Sequence, residues 1–288
     1  MYTFIVNPAA GNGYALKTQQ QIEAVLQQRG IVYQMLHTAA PEHAMELAKE
    51  AAAKEGCRGV IAVGGDGTAY EVACGLMDTG VPMGIIPAGT GNDFIKTVNI
   101  PKKPMEALEF ILHKTPRSVD VGRLNQRLFL NVCGTGFDEQ TLEYTQAAKK
   151  YVRGILPYMI GLFRAIFSYK PVHVKFTADG ETQERDVLLC SIANGRFIGG
   201  GIPVCPDARP DDGLLDMVIV ETKPRWQIPF YLPGLMMGKI DRFKVTTHKR
   251  CKEMTIISKG MRLNVDGEII PMDRADFSVM PGKLMLYW

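Results

Sequence analysis

The chain has 288 residues, 46 % of them hydrophobic and 22 % charged, an ordinary globular composition long enough for one large or two medium domains. Its six cysteines (Cys57, Cys74, Cys133, Cys190, Cys205 and Cys251) form no C-x-x-C or Cys/His ligand spacing, which suits free thiols in a reducing cytosol. The start "MYTFIVNPAAG" lacks a basic n-region and a cleavable apolar core, so no signal peptide is expected, and the longest apolar stretch, "GILPYMIGLFRAIF", carries Arg164 and is too short to span a bilayer.

"TFIVN" (3–7) reads as a strand, with Gly11 and Gly13 after it. A helix pattern follows, placing Leu16, Ile22, Val25 and Leu26 on one face and ending at Gly30. "IVYQML" (31–36) is the next strand. Thr38, Pro41 and Glu42 mark a helix start, and an Ala-rich helix runs from Ala44 to Lys54, closed by Gly56. "GVIAV" (59–63) and "VPMGII" (81–86) are short apolar strands. The helix between them begins near Thr68 and carries Val72, Leu76 and Met77. Four strands alternating with helices predict a parallel, doubly wound α/β sheet, whose ligands bind at the carboxyl ends of its strands.

The texture changes near 122–127, giving an expected division into domains 1–124 and 125–288, with the last strand or tail expected to pack back on the first. Helix-like stretches at 138–150 and 154–168 precede short β-like runs: "VHVKFT", "DVLLCSIAN", "LLDMVIV", "RFKVTT", "EMTIIS", "MRLNVD" and "DFSVM". Turn signals Asp179–Gly180, Asp212–Gly213, Lys259–Gly260 and Asp266–Gly267 separate several of them, which predicts an antiparallel sandwich or barrel.

The net charge is +3, split as −1 over residues 1–124 and +4 over 125–288. From Tyr144 to Ala178 there is no carboxylate, against Lys149, Lys150, Arg153, Arg164, Lys170 and Lys175; from Thr222 to Lys252 there are eight basic residues and one acid, Asp241. Both stretches are also apolar. Basic plus apolar points to an anionic membrane surface rather than nucleic acid, with a solvated basic face over core helices as the alternative. Likewise the helix around 155–167, with Ile155, Met159, Ile160, Leu162, Phe163, Ile166 and Phe167, reads either as core or, with "WQIPFYLPGLMM" (226–237), as a surface for bilayer or acyl chains.

No G-x-x-x-x-G-K-[ST] is present, and "GNGYAL" lacks the third glycine of a dinucleotide fingerprint. The loop "VGGDGTAYE" (63–71) presents a puzzle. Gly64, Gly65 and Gly67 let the backbone approach a phosphate and Thr68 can cap the next helix, yet Asp66 stands among them. Either Asp66 faces away and braces the loop, or a cation such as Mg²⁺ lies between it and the phosphates. "PAGTGND" (87–93) repeats the pattern with Asn92 and Asp93 at the next strand end.

"NPAAG" (7–11), "GGDGT" (64–68), "GTGNDF" (89–94), "DVGR" (120–123), "NGRFIGGG…P…DDGLLDMVIV" (194–220) and "NVDGE" (264–268) occur together and in order. This set resembles the bacterial soluble diacylglycerol kinase and lipid kinase family, related to sphingosine kinases. "GGDGT" alone is shared with NAD kinases and 6-phosphofructokinases. The resemblance implies a phosphofructokinase/NAD kinase-like α/β domain followed by a β-sandwich, with the site between them. It further implies a cytoplasmic enzyme acting peripherally at the inner membrane face, which transfers phosphate from ATP, with Mg²⁺, to a membrane lipid hydroxyl, diacylglycerol foremost; a homodimer fits the family too. NAD kinase-like activity and a catalytically silent lipid- or nucleotide-binding regulator are the rival readings.

Residue by residue, the resemblance makes Asn7, Pro8, Ala9, Ala10 and Gly11 the first nucleotide loop and Thr38 a further ATP contact. Gly64, Gly65, Asp66, Gly67, Thr68 and Glu71, with Gly89, Thr90 and Asn92, form the rest of the cradle. Asp66, Asp93 and Asp120 become the acidic cluster of the ATP–Mg²⁺ cleft. Glu268 becomes the general base, with Asp266 beside it. "RPDDGLL" becomes a structural Mg²⁺ site held by the Asp212 carboxylate and the carbonyls of Arg209 and Leu214. Where the family has a hydrophobic residue and Asn before the Glu, this chain has Ala69 and Tyr70 before Glu71.

Overall fold

Apolar runs of five or six residues, each ended by a glycine- or proline-bearing loop, become the strands of a parallel sheet in the computed structural model, which describes residues 1–152 and 156–288. The first of its two units comprises residues 1–121 and 281–288. It runs β1 (Tyr2–Val6), α1 (Tyr14–Gln28), β2 (Tyr33–His37), α2 (His43–Ala52), β3 (Gly59–Gly64), α3 (Asp66–Leu76), β4 (Met83–Pro87), α4 (Asp93–Thr97) and α5 (Pro104–His113). The strand order is β2-β1-β3-β4, parallel throughout. The returning C-terminus adds Leu286 beside Met83, also in parallel. β1, β3 and β4 are buried along their whole lengths, as a strand covered on both faces must be. Helix α1 packs with α5, and α2 with α3, where Gly75 lets the backbone come against Met45 and Ala48.

Three expectations shift. The buried stripe of α1 is Ala15, Thr18, Ile22 and Leu26, whereas Leu16 is exposed. Strand β2 begins at Tyr33 rather than Ile31 and is only half-buried. Helix α3 begins at Asp66, not near Thr68.

β5 (Arg117–Leu124) leads into the second unit, residues 122–280. There follow β6 (Arg127–Phe129), β7 (Val132–Gly136), α6 (Phe137–Lys149), α7 (Leu156–Ser168), β8 (Val172–Ala178), β9 (Glu181–Ala193), the two-residue strands β10 (Phe197–Ile198) and β11 (Ile202–Pro203), β12 (Leu215–Glu221) and α8 (Ile228–Met236). The remainder is β13 (Thr246–Cys251), β14 (Glu253–Ile257), β15 (Arg262–Val265), β16 (Glu268–Pro271) and β17 (Arg274–Leu286), whose end is the returning C-terminus. The expected strand "RFKVTT" starts only at Thr246. The expected helix start at 154, together with Arg153 and Ile155, lies outside the described residues.

The long strand β9 organises this antiparallel unit. Its first half pairs with β8, and its second half lies between β7 and β12. Alternation sorts the side chains. Cys190, Ile192, Met217 and Ile219 face a core shared with Phe176, Met254, Leu263 and Phe277, whereas Leu189, Ala193, Val218 and Val220 face one shared with Leu162, Ile166, Tyr169 and Ile228. Burial on both faces explains why "DVLLCSIAN" and "LLDMVIV" read as unbroken apolar runs. On α7 the expected single face divides: Leu162, Ala165 and Ile166 are core, while Leu156, Ile160, Phe163 and Phe167 are exposed.

Asp138, in the first turn of α6, carries an electrostatic penalty. Its Oδ1 accepts from Asn264 Nδ2 at 2.9 Å, but Oδ2 is buried without a hydrogen-bond partner, as is Ser191 Oγ. Burial raises the Asp138 carboxyl from 3.8 to about 6, outweighing the Asn264 hydrogen bond that favours its charge. The folded chain therefore holds this proton more tightly than the unfolded one. Stability from this group is full below about pH 4 and declines as pH rises toward 6, above which the whole penalty, on the order of 3 kcal/mol, is felt. Asp138→Asn keeps the acceptor for Asn264 and is expected to stabilise the protein by about 1–3 kcal/mol at pH 8, with little change at pH 4. Urea unfolding at the two pH values measures this; no gain at pH 8 would remove burial as the cause.

Candidate active site

Four loops meet at the carboxyl ends of β1 to β4 in the first unit. Asn7 N–H donates to the Val63 carbonyl (3.0 Å), Thr38 N–H to that of Val6 (3.0 Å), and Ala88 and Gly89 N–H to that of Gly64 (2.7 and 3.1 Å). Asn7 also closes its own turn, Oδ1 accepting from Ala9 N–H at 3.0 Å, while Nδ2 donates to Thr68 Oγ1 at 3.1 Å. Thr68, expected to cap a helix, thus ties the first loop to the second. The loops pack so tightly that a Cβ on Gly89 would overlap Gly65 and one on Gly11 the Ala88 carbonyl. Gly11 (φ 59) and Asn12 (φ 55) are left-handed, so the chain turns sharply into α1. Neither α1 nor α3 has a side-chain N-cap, and the space beside Gly67 is open. Tyr14 N–H turns back to the Ala10 and Gly11 carbonyls, so the starts of α1 and α3 are left without side-chain caps beside a glycine-lined cradle, a geometry that suits phosphate.

Asp66 takes the bracing role weighed against a cation: its Oδ1 accepts N–H groups of Asp93 (2.7 Å) and Phe94 (3.2 Å), opening α4. Asp93 pairs in turn with Lys96 (2.8 Å), which also donates to the Gly91 carbonyl, and Asn92 Nδ2 donates to that of Gly89. Desolvation, then the Asp93 charge, raises the Asp66 carboxyl above its ordinary value. The second oxygens of both acids border Gly91, where a Cβ would lie 2.8 Å from Asp66 Oδ2 and 4.0 Å from Asp93 Oδ2. Two desolvated carboxylates converging where only a glycine fits suit a phosphate-bound divalent cation, so bracing and cation binding are compatible. Beside this cradle a cavity of about 420 Å³ is lined by Tyr14, Gly89, Asn92, Lys102 and Lys103, among others, large enough for part of a nucleotide.

Other candidates do different work. Asp120, buried on β5, accepts from Gly282 N–H at 2.8 Å. Glu71 Oε2 accepts from Ala44 N–H at 3.1 Å, in the first turn of α2. It therefore caps a helix whose own N-cap residue, Glu42, makes no side-chain bond. Tyr70 beside it is half-buried.

In the second unit, Asp266 and Glu268 share a tight turn with left-handed Asp266 (φ 46) and Gly267 (φ 97), the hairpin geometry that Asp-Gly favours. Asp266 accepts three backbone N–H groups: Leu130 at 2.7 Å, Asn131 at 3.1 Å and Val132 at 3.0 Å. That makes it an anchor rather than a proton acceptor. Glu268 opens β16, exposed, with Oε2 3.1 Å from Arg127 Nη1. Asp212 Oδ1 accepts from Leu214 N–H at 3.1 Å, and Oδ2 meets the Arg250 guanidinium. An arginine thus supplies the positive charge that a metal held by Asp212, Arg209 and Leu214 would bring. That carboxylate does not fit the expected site as it stands.

The chain's motifs and both units have counterparts in known proteins. A family model described as the diacylglycerol kinase catalytic domain matches residues 1–124, and one described as the YegS C-terminal NAD kinase beta sandwich-like domain matches residues 131–288. The chain belongs to the diacylglycerol kinase/YegS-like lipid kinase family. A Pseudomonas aeruginosa PAO1 protein named as a YegS-like lipid kinase is 35 % identical over 245 residues, covering 83 % of this chain and 79 % of that protein. The diacylglycerol kinase of Mycobacterium tuberculosis H37Rv is 28 % identical over 292 residues, covering 99 % and 94 %. A solved structure of a Bacillus anthracis str. Sterne protein named for diacylglycerol kinase superimposes with a TM-score of 0.82 at 26 % identity, covering 100 % of this chain and 96 % of that one.

Some polar residues of this lipid kinase escaped the sequence reading. Lys96 stands three residues after Asp93, a spacing that places an ion pair on one helix face and that could have revealed it. Arg127, Arg250 and Asp138 carried no such local signal, because their partners lie far along the chain.

Proposed function

We propose that the chain is an ATP- and Mg²⁺-dependent kinase that phosphorylates the hydroxyl of a membrane lipid, diacylglycerol, yielding phosphatidic acid. One observation carries the nucleotide half of this reading: the four-loop cradle in which two helix termini without side-chain caps and the Asp66 and Asp93 carboxylates surround Gly11, Gly89 and Gly91, where a Cβ would clash. The N–H groups at the starts of α1 and α3 hold phosphate oxygens, and Asn7 keeps the first two loops in register. Asp66 and Asp93 would hold Mg²⁺, which neutralises phosphate charge during transfer. Glu268 accepts the proton of the lipid hydroxyl, and Arg127, 3.1 Å from Oε2, orients its carboxylate. The family and the name of the M. tuberculosis relative support the lipid as acceptor.

The lipid is reached from the bilayer surface. The exposed Phe163 and Phe167 of α7, and Trp226, Phe230, Met236 and Met237 in and around α8, offer apolar area, and Lys149, Lys150, Arg225 and Lys239 offer positive charge. Among the described residues no helix is long and apolar enough to cross a membrane. The test supplies labelled ATP to vesicles carrying diacylglycerol, phosphatidylglycerol, a sphingoid base or an isoprenoid alcohol, with NAD as a soluble acceptor. Label is expected in diacylglycerol, rising with anionic lipid and falling in Lys149→Glu/Lys150→Glu. Glu268→Gln is expected to lower kcat by about 100-fold or more, with KM for ATP little changed. Label in NAD instead, or full turnover by Glu268→Gln, refutes the corresponding part.

A further inference from the structure

Away from the phosphate cradle, the helix-side face of the second unit gathers a histidine and three carboxylates. Asp216 on β12 is fully buried, and one register step along, His248 on β13 sits opposite Val218, so both side chains emerge on the same face. Asp216 Oδ1 lies 2.6 Å from His248 Nε2, while Asp216 Oδ2 is buried with no hydrogen-bond partner. A carboxylate at this distance makes Nε2 the protonated nitrogen, leaving the lone pair of the neutral ring on Nδ1.

His248 Nδ1 points at Asp241 Oδ1, 3.8 Å away. That is too long for an imidazolium N–H donating to a carboxylate. It is closer to the separation of about 3.4 Å between two ligand atoms that share a tetrahedral metal at about 2.1 Å. Asp207 completes the set: its carboxylate, that of Asp241 and the His248 ring each bring one ligand atom within 4.8 Å of the others. Arg250, with Nε 3.6 Å from Asp216 Oδ1 and its terminal nitrogen on Asp212, balances the inner carboxylates and leaves the Asp207–Asp241 side acidic.

We propose that Asp207, Asp241 and His248 form a divalent transition-metal site of one imidazole and two carboxylates, best matched to Zn²⁺, with a fourth position for water and with Asp216 fixing the His248 tautomer. One nitrogen with two oxygens suits zinc more than calcium or magnesium, and a carboxylate behind the ligating imidazole is the usual outer support of such sites. The three ligands come from the loop after β11, the short turn at Ile240–Arg242 after α8, and β13. A metal here staples the segment following the apolar helix α8 to the sheet. The site is independent of the kinase reading and shares no residue with the proposed catalytic groups.

The test titrates Zn²⁺ into full-length protein stripped with a chelator, in competition with a chromophoric zinc indicator. One equivalent is expected to bind with micromolar or tighter affinity and to raise the melting temperature. His248→Ala, Asp241→Asn and Asp207→Asn should each weaken binding at least 10-fold, Asp216→Asn should weaken it by about 10-fold or more, and His173→Ala, at the exposed His173–Asp186 pair, should not. Asp207 and Asp241 are exposed, so their variants test the site even if His248→Ala fails to fold. Co²⁺ should give the visible absorption of a four-coordinate complex in the wild type and lose it in Asp241→Asn. No stoichiometric zinc below about 10 μM, or affinity unchanged in the Asp207 and Asp241 variants, overturns the proposal; the latter would mean that His248 is an imidazolium held by carboxylates.

Discussion

Asp66→Asn is expected to abolish phosphate transfer, by about 100-fold or more, while making the ligand-free protein more stable. The two effects part because the side chain does two jobs. Its Oδ1 accepts the Asp93 and Phe94 N–H groups, a bond that an asparagine carbonyl oxygen makes as well, so the start of α4 survives. Its charge is a liability in the ligand-free chain: burial and Asp93 raise its pKa, so the ionised form destabilises the fold, and the neutral amide removes that cost. The same charge is what a phosphate-bound cation requires. Activity assays and thermal melts of the two proteins side by side measure both effects. A variant that is fully active shows that Asp66 is only a brace; one that is inactive because it is unfolded shows that the amide cannot replace the carboxylate in the α4 turn.

The largest stability effect is expected at Asp266, two residues from the proposed base. Asp266→Ala leaves three backbone N–H groups at Leu130, Asn131 and Val132 without their acceptor, at a cost of about 3–5 kcal/mol. Asp266→Asn is expected to cost less but not to be silent. Leu130 donates to one carboxylate oxygen and the other two residues to the second, so an amide must turn an N–H₂ group toward a donor on one side. Denaturant unfolding ranks the two. Activity should fall in both as the hairpin that carries Glu268 loosens, and the loss should be larger for Ala. If both variants are as stable as the wild type yet inactive, Asp266 is a catalytic acid rather than an anchor.

How far the sequence was legible follows the range of each interaction. The strands of the first unit were readable because their apolar runs are bounded by Gly and Pro, and β9 and β12 because strands buried on both faces need unbroken apolar stretches. The glycine loops were readable as loops opening into helix starts because loop and helix start are adjacent in the chain. What Asp66 touches was not readable, because its partners stand 27 and 28 residues away at the end of another strand. The same reason hid the anchoring of Leu130 to Val132 by Asp266, 134 to 136 residues apart, and the capping of α2 by Glu71. Leu16 was misplaced because helical periodicity fixes a face only to within a residue, and the stripe that meets the sheet is centred on Ala15, Thr18 and Ile22. The Asp212 turn was legible as a turn, but Arg250, which neutralises its carboxylate, comes from β13.

The central claim is that the two acidic glycine loops form one cation-bridged nucleotide site, and calorimetric titration of ATP with and without Mg²⁺ tests it most directly. The wild type should bind ATP at least about 10-fold more tightly with Mg²⁺ than in EDTA, where Asp66 and Asp93 face the phosphates unshielded, and Asp66→Asn should lose most of that difference. Equal affinity with and without Mg²⁺ in the wild type, or an undiminished Mg²⁺ effect in Asp66→Asn, would contradict it.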